Sequence, residues 1–127
     1  MSDTVLARSI LVVDDSEIIL ATAEHALTAA GYVVVTANTF AELSQRLDVQ
    51  REYDLILMDV QMPELYGDDV GAILRYTREV QGKIYLFSSL PAAQLEQRQI
   101  EAGLDGFIPK QGGIEAMVAR VREILAD

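Results

Sequence analysis

Five short apolar runs recur along the chain, Ile10 to Val13, Val33 to Val35, Leu55 to Met58, Ile84 to Phe87 and Phe107-Ile108, with little polar alternation inside them. A strand with one face in water alternates apolar and polar residues. Unbroken runs suit strands covered on both faces, as in a parallel sheet between two layers of helices. The segments between the runs carry the matching helical patterns. Ile19, Ala23, Ala26, Leu27 and Ala30 share one face of a helix that Gly31 would stop. Thr39 followed by Glu42 is a capping-box signature with Phe40, Leu43 and Leu47 behind it. Val70, Ile73 and Leu74 mark a third helix before Gly82, and Ala92, Leu95, Gln99 and Ala102 a fourth between Pro91 and Gly103. The last stripe, Ile114, Met117, Val118, Val121, Ile124 and Leu125, is the most regular. The order predicts an α/β fold: a (βα)5 doubly wound, flavodoxin-like domain whose five parallel strands lie in the order 2-1-3-4-5.

What stands at the ends of the runs points to chemistry. Asp14-Asp15 follows the first run, Asp59 the third, Ser88 the fourth, and Lys110 comes shortly after the fifth. In an open parallel sheet, ligands collect beyond the carboxyl ends of the strands, so all five positions would face one crevice. Like charges so close raise one another's pKa unless a cation intervenes. A hard divalent metal such as Mg2+, held by carboxylates and water, is the expected occupant. Carboxylates, a hydroxyl and an ammonium together are what transfer of a phosphoryl group to a carboxylate requires, because that reaction is catalysed by positioning and charge neutralisation.

Composition removes several other classes. The chain has 127 residues and half are hydrophobic, which suits a single domain, 1–127, with a proper core. A net charge of −10 would repel a duplex phosphate backbone, so no direct nucleic-acid binding is expected. The absence of cysteine excludes disulfides, thiolate metal sites and thiol catalysis. No secretory leader pattern opens the chain, and no apolar run approaches the roughly 18 residues of a spanning helix. A soluble, cytoplasmic protein with no membrane partner is expected.

The ordered motifs Leu11-Val12-Val13-Asp14-Asp15, Leu57-Met58-Asp59-Val60-Gln61-Met62-Pro63, Phe87-Ser88-Ser89 and Phe107-Ile108-Pro109-Lys110 resemble the CheY-like receiver domain of two-component response regulators, over essentially the whole chain. The resemblance implies that Asp59 is the phosphoacceptor and that Asp15 and Asp59 bind Mg2+ directly, with Asp14 acting mainly through water. It makes the Gln61 backbone carbonyl a further metal ligand. Lys110 would pair with the phosphoryl group, Ser88 would hydrogen-bond to it, and Phe107 would be the aromatic switch. The implied partners are a sensor histidine kinase or histidine phosphotransferase and a downstream protein target or linked output domain, with phosphorylation-dependent dimers known in the family. Such a protein catalyses only its own phosphorylation and dephosphorylation.

Two positions depart from the family pattern. Gln111 follows Lys110 where a proline is usual, and non-proline cis bonds cost about 2.5–4 kcal/mol. A trans Lys110–Gln111 peptide is therefore expected, with Gly112-Gly113 absorbing the changed path. Ser88 and Ser89 replace the commoner threonine and alanine, which should alter kinetics rather than abolish function. Met62-Pro63 reads as a turn after the third strand, and His25, about 80° off the buried stripe of its helix, as a solvent-facing residue. Ile18 and Leu20 flank that stripe beside the acidic site, where a histidine-bearing helical bundle would dock in the family. Asp14-Asp15 could instead merely cap the helix starting near Ser16. A magnesium-dependent phosphohydrolase is the rival from another class, but it would place Asp-x-Asp at the first strand and carry a capping insertion. A flavin or nucleotide carrier would need a glycine- or hydroxyl-rich phosphate loop where this chain has two aspartates.

Overall fold

The computed structural model describes residues 7–60, 80 and 82–126. Its strands are β1 (Ser9–Val13), β2 (Val33–Ala37), β3 (Leu55–Met58), β4 (Lys83–Ser88) and β5 (Gly106–Pro109). Its described helices are α1 (Glu17–Ala29), α2 (Phe40–Val49), α3 (Ala92–Ala102) and α4 (Gly113–Leu125), the last preceded by a 3-10 turn over Lys110–Gly112. The sheet runs β2-β1-β3-β4-β5 with every neighbour parallel. The expected topology is therefore the observed one. The third helical pattern, with Val70, Ile73 and Leu74, and the Met62-Pro63 turn lie outside the described residues.

Successive residues of each central strand go to opposite faces, which is why their runs show no polar break. Leu11, Val13, Ile56, Met58, Ile84 and Leu86 pack with Leu43 and Leu47 of α2 and Leu95 of α3. The alternate set, Ile10, Val12, Leu55, Leu57, Phe87 and Ile108, packs with Leu20, Ala23 and Leu27 of α1 and Met117, Val121, Ile124 and Leu125 of α4. β1 and β3 are almost wholly sealed between these layers. β2 lies at the sheet edge, and its Val33 is exposed.

Helix ends follow local chemistry. The Ser16 hydroxyl caps α1 by accepting from the Ile19 N–H. At α2, Thr39 Oγ1 accepts from the Glu42 N–H at 3.0 Å while Glu42 Oε1 accepts from the Asn38 N–H at 2.8 Å. The capping box is thus formed, but its return bond reaches one residue before the cap rather than the cap itself. α1 ends ahead of Gly31 and α3 at Gly103, both at positive φ. Lys83, at the start of β4, donates from Nζ to the Ile124 carbonyl at 2.8 Å and ties the end of α4 to the sheet.

Two helix-face expectations need correction. Leu20 belongs to the core at 7% exposure, whereas Ile18 is 79% exposed, so of these two only Ile18 presents an apolar surface. The α1 stripe is therefore centred on Leu20, Ala23 and Leu27, and Ile19 and Ala26 are only partly covered. In α3, Ala92 is exposed, Leu95 alone is fully buried, and Ala102 is partly buried against the same core layer. Gln99 serves the helix end instead, donating from Nε2 to the Leu104 carbonyl. His25 is exposed, as expected.

The turn into β4 is sterically closed. A methyl group at Gly82 would overlap the Tyr53 carbonyl oxygen, a backbone atom that cannot swing aside. Gly82→Ala should therefore destabilise the fold by about 1–3 kcal/mol. In urea denaturation this appears as a lowered midpoint at unchanged slope, and an unchanged midpoint would show that the turn relaxes freely.

Candidate functional site

The parallel register delivers the polar residues to one rim. Val13 pairs with Ala37 in β2 and with Met58 in β3, so Asp14 and Asp59 each stand one step beyond a strand end. Their backbones extend the ladders: Asp14 N–H donates to Ala37 O at 3.1 Å, and Asp59 N–H to Val13 O at 2.9 Å. Ser88 closes β4 opposite Pro109, and Lys110 follows at once. Sheet hydrogen bonding thus fixes the backbone under both carboxylates and at Ser88.

Asp14 and Asp59 are buried, at 1% and 6% exposure, and Asp15 is exposed. Each of the three carboxylates offers an oxygen within 4.8 Å of the others. Lys110 Nζ donates to Asp14 Oδ2 at 2.6 Å and lies 3.8 Å from Asp59 Oδ2. The other Asp14 oxygen accepts from the Ser16 N–H at 2.9 Å. The rival view of Asp14 as a helix cap is thus partly realised: Asp14 Oδ1 organises the turn into α1, but Ser16 is the cap, and Asp14 Oδ2 is turned to the ammonium. Beneath Lys110 lies the Phe87 ring, whose centroid is 5.5 Å from Nζ.

Ser88 is completely buried, and its Oγ accepts from the Leu90 N–H at 3.3 Å. That bond uses a lone pair, so the hydroxyl proton is available to another acceptor. Phe107 pairs in register with Leu86 and is half-buried against the α2/α3 layer, where Leu90 also packs. No peptide among the described residues is cis, Lys110–Gln111 included. The 3-10 turn takes up the altered path, with Gly113 at φ 86° and Gly112 in an ordinary helical conformation. Gln61, expected to offer a backbone carbonyl, lies outside the described residues.

Three carboxylates facing one ammonium leave the crevice short of positive charge. The donor set is all oxygen, which suits a hard cation such as Mg2+ rather than a soft metal. Asp14, Asp15 and Asp59 are the residues that would hold it, and Lys110 competes with it for Asp14. Sequence reading missed the Phe87–Lys110 contact, although an aromatic residue just before Ser88 was a visible signal. Replacing the ammonium by a neutral chain of similar length, Lys110→Met, should tighten divalent-cation binding by roughly tenfold, as unlike charges this close in partly screened surroundings are worth more than the 1.36 kcal/mol that factor represents. Calorimetric titration with MgCl2 checks this, and unchanged affinity would mean that Lys110 does not compete.

A family model for the response regulator receiver domain matches residues 10–122. The transcriptional regulatory protein PrrA of Mycobacterium tuberculosis is 31% identical over 125 residues, which are 98% of this chain and 53% of that protein. The chain therefore spans about half the length of this relative and of several other curated ones. Among solved structures, the chemotaxis response regulator CheY4 of Vibrio cholerae superposes with a TM-score of 0.84 at 26% identity, covering 94% of this chain and 100% of that one. A BeF3-activated receiver domain of DrrB, a Thermotoga maritima regulator, gives a TM-score of 0.78 at 25% identity over 96% of this chain and 100% of that one. With the family model spanning nearly the whole sheet and its helices, the chain belongs to the response regulator receiver domains of two-component systems.

Proposed function

We propose that this chain takes a phosphoryl group from a phosphohistidine onto Asp59 and later releases it as inorganic phosphate. An Asp59 carboxylate oxygen attacks phosphorus and forms the P–O bond as the P–N bond to the donor imidazole breaks. The donor histidine leaves neutral after taking up a proton. In the reverse direction of signalling, water attacks the same phosphorus, the bond to Asp59 breaks, and inorganic phosphate departs. The donor is a sensor histidine kinase or a histidine phosphotransferase, and the recipient of the signal a downstream protein or linked output domain.

The observation that carries this reading is Lys110 Nζ lying between two buried carboxylates, 2.6 Å from Asp14 and 3.8 Å from Asp59, at the rim where the strands end. An ammonium so placed needs only a short swing to meet phosphoryl oxygens on Asp59, and charge neutralisation of this kind is the main help that phosphoryl transfer takes from a protein. Bound Mg2+ would supply further charge neutralisation for the phosphoryl oxygens. Asp15 and Asp59 would hold the ion directly and Asp14 through water, with the Gln61 backbone carbonyl as the further ligand that the family resemblance implies. Ser88 gives its free hydroxyl proton to a phosphoryl oxygen. Drawing that hydroxyl inward vacates space beside β4, into which Phe107 turns, changing the surface made by α3, β5 and α4. A partner or a second copy reads that surface. Phenylalanine has no hydroxyl to bond in either rotamer, so the balance between states rests on packing alone.

Incubation with acetyl phosphate and Mg2+ should add one phosphoryl group to the intact mass. Asp59→Asn should reduce the yield to background, and an unchanged yield in that variant would overturn the assignment. Ser88→Ala should leave Asp59 phosphorylatable while shrinking the backbone amide shifts that beryllofluoride induces in α3 and β5. Identical shifts in variant and wild type would contradict the coupling from Ser88 to Phe107.

A further inference from the structure

Phe87 is 2% exposed and belongs to the cluster that packs against α1 and α4, so at first sight it is simply core. Its place in the register says more. Phe87 pairs with Ile108 across the β4–β5 ladder, and Lys110 lies two residues beyond Ile108. Pro109, the last residue of β5, is extended, so Lys110 leaves the strand end next to the Phe87–Ile108 pair as the 3-10 turn begins. The ring therefore forms the floor over which the Lys110 side chain reaches into the crevice, with the ammonium 5.5 Å from the ring centroid. That is within the range in which an aromatic face attracts a cation, and the attraction grows when the cation is shielded from water. The Lys110 side chain is only 17% exposed.

The geometry points to Phe87 as a positioning residue for Lys110 in the phosphorylation of Asp59. A carboxylate fixes an ammonium by direction, and Asp14 at 2.6 Å holds Nζ away from the place where phosphoryl oxygens arrive. The aromatic face attracts the same ammonium without prescribing a direction. It keeps Nζ low in the crevice while the hydrogen bond changes from Asp14 to the group forming on Asp59, 3.8 Å away. An aliphatic side chain of similar bulk packs against the lysine stem equally well but offers the charge nothing. The ring thus favours the ammonium in the crevice over the ammonium in solvent, which raises the fraction of chains with Lys110 in reach of the phosphoryl group and with it the rate of phosphoryl transfer. This inference rests on Asp59 being the acceptor and Lys110 its phosphoryl partner.

The test replaces Phe87 site-specifically by mono-, tri- and pentafluorophenylalanine in the full chain, with Phe87→Leu alongside. Fluorine withdraws charge from the ring face step by step while shape and apolar character change little. Phosphorylation by acetyl phosphate at saturating Mg2+, followed by intact mass, should slow in the order of fluorination, by roughly fivefold for the pentafluoro ring, the rate equivalent of a cation–π contact of ordinary strength. Phe87→Leu should fall with the pentafluoro protein. Melting temperature is followed in parallel, because a purely structural ring makes rates track stability rather than ring charge. Equal rates along the series, rates that follow melting temperature, or a Leu variant as fast as wild type would each overturn the positioning role while leaving Asp59 as acceptor. Failure of the wild-type chain to be phosphorylated at all would overturn both.

Discussion

One ammonium shared among carboxylates governs the crevice. Lys110 bonds Asp14, lies close to Asp59 and rests on the face of Phe87, and all four side chains are largely shielded from water. Bringing such charges out of water is costly, and their mutual attraction repays it only when geometry and hydrogen bonding are good. The pair is better understood as stored chemistry than as a contribution to stability. The second Asp14 oxygen is met by the Ser16 N–H, so the turn that starts α1 and the electrostatics of the site depend on the same side chain.

Accuracy at the rim comes from the sheet. Because β1 and β3 are buried on both faces, neither strand can slip without moving an apolar residue out of one helical layer and into the other. The Asp14 and Asp59 amides are hydrogen-bonded to neighbouring strands, so the carboxylates inherit the rigidity of the ladders. Lys110 is different. It belongs to a 3-10 turn, carries a long side chain and has a second carboxylate within reach.

Much of this was legible in the sequence, for physical reasons that also mark where legibility ends. Unbroken apolar runs report burial on both faces, so the parallel sheet could be read from them together with the stops at Gly31 and Gly103, whereas its order came from the flavodoxin-like pattern of doubly wound folds. The gathering of Asp14, Asp15, Asp59 and Lys110 followed from strand ends alone. Helical periodicity located faces only to within a residue, since a stripe of small alanines does not distinguish Leu20 inside from Ala26 at the margin. It could not show that Leu95 is the one fully buried residue of α3. Which carboxylate the lysine selects was not legible either, because that depends on a fraction of an ångström and on the Ser16 amide. Nor was the Phe87 floor, which exists only through the pairing of β4 with β5.

The central claim is that Lys110 changes partner when a phosphoryl group forms on Asp59. A crystal structure of the chain with Mg2+ and beryllofluoride, beside one without either, measures this directly. The account predicts that Nζ leaves Asp14 Oδ2 and lies within hydrogen-bond distance of a fluoride on Asp59, still over the Phe87 ring. Beryllofluoride bound at Asp59 with Lys110 still bonded to Asp14 would contradict it.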